Sequence, residues 1–290
     1  MAAGAGDELP PDNPGSSGAS DWFDRRPIGV FDSGFGGLTV ARALRDLLPG
    51  EDFLYLADSA RYPYGPRPTE EVVAFAQQIA KFLVAEGDVK LLVVACNTAT
   101  AWALDRVRAT VDVPVVGVVE PGVRALARAT RSGRVGVIGT VGTVASGAYQ
   151  RAVARLAPHL DLVCAACPGF VEFVERGETD GDQVRVLAER LLRPVREARV
   201  DALALGCTHY PFLARVISDA VGRDVVLVSS ADETAFEVRS MLEQRREVAP
   251  ADRSGGTVRY LASGDPGWFR EVGARLMGEE ITEVTRVVWQ

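Results

Sequence analysis

Short apolar segments alternate with longer helical stretches along most of this chain, and this alternation strongly restricts the fold. Eight apolar runs follow one another, at residues 28–31, 52–57, 90–96, 115–119, 134–140, 161–167, 201–207 and 224–230. Stretches with helical periodicity separate them, such as TVARALRDLL and TEEVVAFAQQIAKFLVAEG. Strands that are apolar throughout are typical of parallel sheets covered by helices on both faces. The sequence therefore predicts an α/β fold with mainly parallel sheets.

An internal repeat divides the chain into two similar halves. The segment IGVFDSGFGGLTVARAL, which begins at residue 28, resembles VGVIGTVGTVASGAYQRAV, which begins at residue 135. Likewise, LLVVACNTATAWAL resembles ALALGCTHYPFLAR, and this match aligns Cys96 with Cys207. The repeats predict two similar α/β domains related by a pseudo-two-fold axis. Because ligands of open α/β sheets bind beyond the carboxyl ends of the strands, we expect the active site in the cleft between the domains.

Charge and composition narrow the choice of partners. The 290 residues include 39 acidic and 32 basic side chains, for a net charge of -7, without a basic tract. Nucleic acids and anionic membranes attract clustered basic residues, so we expect neither as a partner. No apolar run is as long as the stretch of about 18 residues that spans a membrane. Residues 1–26 are rich in Gly, Pro, Ser and Asp and lack a secretory signal, which predicts a disordered leader on a cytoplasmic protein with free thiols.

The scarcity of lysine and histidine disfavours two kinds of cofactor. Lys81 and Lys90 are the only lysines, and neither is well placed in the pattern for the Schiff base that pyridoxal phosphate requires. His159 and His209 are the only histidines, which disfavours a multi-histidine metal site. We therefore expect a protein that works without a cofactor or metal.

Two cysteines occupy matching positions at predicted strand ends. Cys96 ends the run KLLVVAC before a helical stretch, and Cys207 ends DALALGC before Thr208 and His209. A thiol at a helix start feels the positive end of the helix dipole, which is expected to lower its pKa and favour the thiolate. A single such cysteine could simply be a small buried residue. Two in matching settings favour a chemical role.

The segment FDSGFGG joins the first strand to the first helix. Its glycines could let backbone N–H groups approach an anion at the helix start, as in dinucleotide-binding turns. The pattern is incomplete, because Thr39 stands where that motif needs a third glycine. A plain turn remains the alternative, although Asp32 and Ser33 argue against it.

Two further segments are ambiguous by themselves. In LADSARYPYG, Asp58 could be a helix cap and Tyr64 could be surface packing. Cys164 and Cys167 form a CxxC pair, which suggests redox or zinc chemistry, but further zinc ligands are missing nearby and the pair lies at a strand end rather than a helix start.

Thiols on both sides of one cleft suit the inversion of a stereocentre. One thiolate removes a proton from one face of a carbon, and the opposite thiol returns a proton to the other face. General bases need a pKa near the operating pH, which tuned thiols can reach. The duplicated architecture explains how mirror-image substrates could be treated alike.

Four motifs, FDSGFGGLTV, YLADSARYPYG, ACNTATA and LGCTHYP, together resemble the glutamate racemases, a cofactor-independent family of the aspartate/glutamate racemase superfamily. The resemblance covers residues 27 to about 275. It implies interconversion of L- and D-glutamate by a two-base cysteine mechanism, supplying D-glutamate for peptidoglycan, and a homodimer. It also implies that residues 27–120 and 230–290 form the first α/β domain and residues 121–229 the second.

The resemblance also implies roles for individual residues. Cys96 and Cys207 would be the two bases, with Asp32 supporting Cys96 and His209 supporting Cys207. Asp58 would be a further catalytic carboxylate, and Glu175 the catalytic acidic residue near the second cysteine. The positions expected to bind substrate are Asp32, Ser33, Tyr64, Gly65, Asn97, Thr98, Thr140, Thr143, Thr208 and His209.

Three alternatives stay open on the sequence alone. A related racemase would act on aspartate or another small substrate. A non-catalytic binding protein would keep the fold and use the leader for recruitment. A nucleotide-dependent oxidoreductase would rest on the glycine turn alone.

Overall fold

The computed structural model describes residues 23–250, 255–278 and 281–289, and its strands form two separate parallel sheets. The first sheet has the order β10-β9-β2-β1-β3-β4. Its first four strands along the chain are β1 (Ile28–Asp32), β2 (Phe53–Ala57), β3 (Leu91–Val94) and β4 (Val115–Gly117). The connecting helices are α1 (Leu38–Leu47), α2 (Thr69–Ala85) and α3 (Asn97–Arg108), and α4 (Val119–Ala129) leads to the second sheet.

The second sheet has the order β6-β5-β7-β8. Its strands are β5 (Arg134–Gly139), β6 (Asp161–Ala166), β7 (Ala202–Gly206) and β8 (Val226–Val228). Its helices are α5 (Val141–Ala145), α6 (Ala148–Leu156), α7 (Phe170–Arg176), α8 (Asp182–Leu191), α9 (Arg193–Glu197), a short 3-10 helix (Tyr210–Leu213) and α10 (Ala214–Val221). After β8 come α11 (Ala231–Arg245), β9 (Val258–Ala262), α12 (Pro266–Met277) and β10 (Val284–Arg286).

The two sheets repeat one topology. The order β2-β1-β3-β4 in the first corresponds to β6-β5-β7-β8 in the second. β1 therefore matches β5, and β3 matches β7, as the aligned sequence segments predict. The prediction of an α/β fold with parallel sheets in two similar units is confirmed.

The composition of the strands explains which of them the sequence revealed. β1, β2, β3 and β7 are buried at every residue, which produces their continuous apolar runs. β10 forms the edge of the first sheet with β9 beside it, and both strands include polar residues, so the apolar pattern did not reveal them. No helix within the described ranges has both the length and the apolar character needed to cross a membrane.

The residues before β1 are attached to the first sheet at its amino-terminal edge. Residues 1–22 of the predicted leader lie outside the described residues. Lys90 is buried and pairs with Glu51 at 2.7 Å, and its Nζ donates to the carbonyl oxygens of Asp24 and Glu247. Lys81 lies exposed on α2. Lys90 thus lies at the opposite edge of the sheet from the carboxyl strand ends.

Candidate active site

Cys96 lies where β3 ends and α3 begins. It is the N-cap of α3, and its sulfur accepts a hydrogen bond from the backbone N–H of Ala99 at 3.5 Å. The thiol donates toward Ser33 Oγ at 3.7 Å. This confirms the predicted position at a helix start.

The expected lowering of the Cys96 pKa is wrong. Burial of the thiol raises its pKa well above the ordinary value, and the negative charge of Asp32 raises it further. Hydrogen bonds with the backbone of Ala99 and the side chain of Ser33 lower the pKa, but their effect is smaller. Cys96 is therefore held as the protonated thiol, because desolvation outweighs the helix start.

Cys207 follows β7, and its surroundings differ from those of Cys96. The chain turns at Thr208 and His209 and enters a short 3-10 helix, so no α-helix begins directly at this thiol. Instead, Cys207 Sγ lies 3.9 Å from His209 Nδ1. The two matching thiols therefore have different local supports, a helix N-terminus for one and an imidazole for the other.

His209 links Cys207 to an acidic residue on α7. Its Nε2 lies 3.4 Å from Glu175 Oε1, close enough for an ion pair but without hydrogen-bond alignment. Burial lowers the pKa of His209, but its contacts with Cys207 and Glu175 outweigh burial and raise the pKa to about 10. The ring is therefore an imidazolium at neutral pH.

This charge can be observed directly. Because the pKa is raised rather than lowered, we expect His209 to keep both ring protons from pH 6.5 to pH 9, whereas a free imidazole loses one near pH 6.5. Ring ¹⁵N shifts across that range would report it, and the variant His209→Asn would assign the signals, since His159 is the only other histidine. A midpoint near 6.5 for His209 would contradict the assigned charge.

Asp32, at the end of β1, connects the two halves. Its carboxylate accepts from the backbone N–H of Ser33 at 2.7 Å and from that of Gly37, and Thr208 Oγ1 donates to it at 3.2 Å across the cleft. The N–H of Gly37 at the start of α1 is thus used by an internal carboxylate. The sequence suggested an external anion for this glycine turn, and its anion is Asp32.

Gly36 allows the two halves to approach each other. A Cβ at this position would lie 2.3 Å from Thr208 Oγ1 and 2.6 Å from His209 Nδ1. We expect Gly36→Ala to displace both side chains and to lower kcat/KM about 100-fold while the chain stays folded. Steady-state kinetics and circular dichroism would test this, with the exposed Gly181→Ala, whose Cβ would meet nothing within 4 Å, as the control. Unchanged kinetics in Gly36→Ala would contradict the close approach.

Hydroxyl groups from both halves meet at a second contact. Thr98 Oγ1 lies 2.9 Å from Thr140 Oγ1 and 3.2 Å from Thr143 Oγ1. Nearby, the backbone N–H of Gly142 donates to the carbonyl of Gly65 at 3.1 Å. These contacts bring together residues that lie far apart in the sequence and close one side of the cleft.

Among the described residues, only the oxygen of the Asn97 side-chain amide has a hydrogen-bond partner. Tyr149 Oη donates to Asn97 Oδ1 at 2.8 Å, while Asn97 Nδ2 is buried and has no hydrogen-bond partner within the described part of the chain. A buried amide donor without a partner is costly unless a ligand accepts from it. This N–H group is therefore available to a bound anion.

Both thiols line a single cavity of about 100 Å³. Ten of the predicted residues line it: Ser33, Tyr64, Gly65, Cys96, Asn97, Thr98, Thr140, Cys207, Thr208 and His209. Asp32, Asp58, Glu175 and Thr143 lie behind this lining and contact residues that form it. A cavity of this size suits a small molecule.

Several lining residues were not among the predicted site residues, including Tyr62, Cys167 and Glu172. Cys167 directly follows β6, so the strand-end rule that found Cys96 and Cys207 applies to it as well. Glu172 lies three residues before Glu175 on α7, which places both on one helix face. Tyr62 gave no comparable signal.

The CxxC pair is not part of a recognisable metal site. Cys164 and Cys167 are free thiols, and the described residues contain no group of three or more His, Cys, Asp or Glu side chains that could hold a metal ion. Burial raises the pKa of Cys164 to about 11 and that of Cys167 to about 12. Neither thiol is activated.

Comparisons with known proteins agree on one family. The family model for Asp/Glu/hydantoin racemase matches residues 38–237. Glutamate racemase of Acidothermus cellulolyticus is 52% identical over 259 residues, which cover 89% of this chain and 98% of that protein. Glutamate racemase isoform RacE1 from Bacillus anthracis, known from a crystal structure, is 40% identical to this chain in sequence. The two structures superpose with a TM-score of 0.85 over 90% of this chain and 97% of that one. The Francisella tularensis glutamate racemase, solved in complex with D-glutamate, is 34% identical with a TM-score of 0.84, covering 91% of this chain and 97% of that one.

Proposed function

This chain belongs to the Asp/Glu/hydantoin racemase family, and we propose that its cleft interconverts L- and D-glutamate by a two-base cysteine mechanism without a cofactor. The observation that carries the proposal is that Cys96 and Cys207 come from the two repeated units and line one small cavity. Inversion at a carbon needs a base on each face, and this arrangement supplies a thiol from each half.

The reaction moves one proton onto the enzyme and another off it. A thiolate takes the α-proton, the electron pair stays on the α-carbon, and the opposite thiol protonates the other face. The enzyme therefore ends each turnover with the protonation states of Cys96 and Cys207 exchanged. One thiol serves as the base for one enantiomer, and the other thiol serves for its mirror image.

The charges around the cavity prepare one of these two states. Asp32 and burial hold Cys96 as the thiol, which is the proton donor. On the other side, the imidazolium of His209 lies 3.9 Å from the Cys207 sulfur. We assign Cys207 as the base for substrate whose α-proton faces it, with Cys96 as the acid on the opposite face.

The α-proton of an amino acid is much less acidic than a thiol, so the cavity must stabilise the developing carbanion. Groups fixed before the reaction do this most effectively in a site closed to water. Asn97 Nδ2 is a buried donor at the cavity wall without a partner among the described residues, and the hydroxyl groups of Thr98, Thr140 and Thr208 are held in place at the same wall. We assign Asn97 Nδ2 to a substrate carboxylate, with Ser33, Tyr64, Gly65, Thr98, Thr140 and Thr208 completing the wall and Thr143 holding Thr98 and Thr140.

We propose glutamate, rather than another amino acid, as the substrate because the similar proteins are named glutamate racemases. Circular dichroism of L-glutamate, D-glutamate and L-aspartate with purified protein and no added cofactor tests this. The proposal expects loss of optical signal from both glutamate enantiomers and little from aspartate. A preference for aspartate would show that aspartate, rather than glutamate, is the substrate. No change with any amino acid would favour a binding protein.

The oxidoreductase alternative has lost its support. It rested on the glycine turn, whose Gly37 N–H donates to Asp32 and is therefore not free for an external anion. The proposed activity supplies D-glutamate for peptidoglycan, in the cytoplasm. A homodimer belongs to the same proposal, and light scattering coupled to size-exclusion chromatography would test it.

A further inference from the structure

Asp58 has no free acceptor position for a substrate. It follows β2 and is completely buried. Ser263 Oγ and Trp289 Nε1 donate to Oδ1, each at 2.7 Å. Arg61 Nε donates to Oδ2 at 2.7 Å, and Tyr64 Oη donates to the same oxygen. A carboxylate accepts about four hydrogen bonds, so this one is saturated. The catalytic role that the resemblance implied for Asp58 does not fit this arrangement.

The topology of the first sheet brings these donors together. Asp58 follows β2, Ser263 follows β9, and Trp289 lies just beyond β10. The three strands are adjacent and parallel, so their carboxyl ends meet at one edge of the sheet. Residues separated by more than 200 positions in sequence thus share one carboxylate.

Trp289 stabilises the cluster formed by Asp58, Arg61, Tyr64 and Ser263 in two ways. Besides its hydrogen bond to Asp58, its ring covers the guanidinium of Arg61 at 4.6 Å, and Phe75 covers the same group at 4.1 Å. Phe82 packs edge-on against the indole at 5.7 Å. Arg61 is therefore held between two rings, in the geometry of a cation–π contact.

The cluster ends at the wall of the active cavity. Tyr64 is 1% exposed and lines the cavity, and its hydroxyl is committed to Asp58. The next residue, Gly65, lines the cavity too, and its carbonyl accepts from the N–H of Gly142 in the other half. A Cβ on Gly65 would lie 2.9 Å from Thr140 Cβ, so this wall tolerates little displacement.

We propose that Trp289 is a positioning residue for the active site, acting through Asp58 to fix the Tyr64–Gly65 wall. Asp58 transmits this contact and takes no part in proton transfer. The inference rests on the proposed racemase function, because the wall matters only if the cavity binds the substrate. The indole N–H orients the carboxylate, the carboxylate orients the phenol, and the phenol sets the wall against which substrate lies.

Replacing the indole by an aromatic ring without a donor tests the first contact. Trp289→Phe keeps a ring over Arg61 and against Phe82 but cannot donate to Asp58. We expect KM for glutamate to rise about five- to tenfold and kcat to change by less than about twofold, because a wall that binds ground state and transition state alike acts on KM. Trp268→Phe is the matched control, since Trp268 packs edge-on against Phe35 and is remote from Asp58 in its contacts.

A double-mutant cycle with Tyr64→Phe tests the route. If Trp289 acts through Asp58 and Tyr64, Trp289→Phe should change KM by less than about twofold once the phenol is gone, because coupled residues are not additive. Full additivity would overturn the proposal. So would an unchanged KM in Trp289→Phe with only a lowered thermal midpoint, which marks a merely structural contact. Turnover by the parent chain is measured first, and its absence would count against the proposed function instead.

Discussion

Replacing either Cys96 or Cys207 by alanine should lower racemisation about 1,000-fold or more in both directions, because each turnover needs one thiol to remove a proton and the other to return one. Neither direction should survive alone. L- and D-glutamate have equal free energies, so kcat/KM must fall equally for the two enantiomers in every variant. Circular dichroism assays started from each enantiomer would measure this.

Two further variants make that result decisive. Cys164→Ala should keep full activity, since Cys164 is a free, half-buried thiol outside the cavity lining. Cys96→Ser keeps nearly the volume of the thiol but offers a far weaker acid, and it should be as inactive as the alanine variant. Substantial activity in Cys96→Ala or Cys207→Ala would exclude the two-base mechanism.

The second large effect is expected at Asp32. Asp32→Ala would leave the N–H groups of Ser33 and Gly37 and the hydroxyl of Thr208 without their buried acceptor. We expect the free energy of unfolding to fall by about 3 kcal/mol. We also expect kcat/KM to fall about 100-fold, because Thr208 loses its anchor across the cleft. Urea unfolding and steady-state kinetics measure the two effects.

Matched variants separate the loss of this acceptor from a general loss of charge. Asp46→Ala removes a carboxylate that is 67% exposed and should change stability by less than about 0.5 kcal/mol. Asp32→Asn fills the same space and serves if the alanine variant does not fold. Normal kinetics in a folded Asp32 variant would show that the carboxylate does not organise the site.

The two thiols were accessible to sequence reasoning because each ends a fully buried strand in a repeated segment. Burial of β3 and β7 produces continuous apolar runs, and the repeat aligns Cys96 with Cys207. Ligands of open α/β sheets bind beyond the carboxyl ends of the strands, so each thiol was expected at the ligand-binding edge of its own sheet. The motifs that carried the family resemblance lie at those same strand ends.

Other features depend on three-dimensional contacts that no local pattern encodes. The raised pKa of Cys96 depends on how deeply the folded chain buries it and on Asp32. The saturation of Asp58 depends on Trp289, which reaches it only because β10 and β9 extend the first sheet. β9 and β10 are partly exposed strands of mixed polarity, and this is why the apolar pattern did not reveal them.

The central claim, that two thiols act on opposite faces of the α-carbon, is tested most directly by following deuterium. L-glutamate with protium at the α-carbon is incubated with the enzyme in D₂O. At early conversion the two enantiomers are separated, and the deuterium content of each is measured by mass spectrometry. The two-thiol account predicts α-deuterium in the D-glutamate formed and protium in the remaining L-glutamate, with the mirror result from D-glutamate. D-glutamate that retains the original protium would mean that a single base carries the proton across, and would contradict the account.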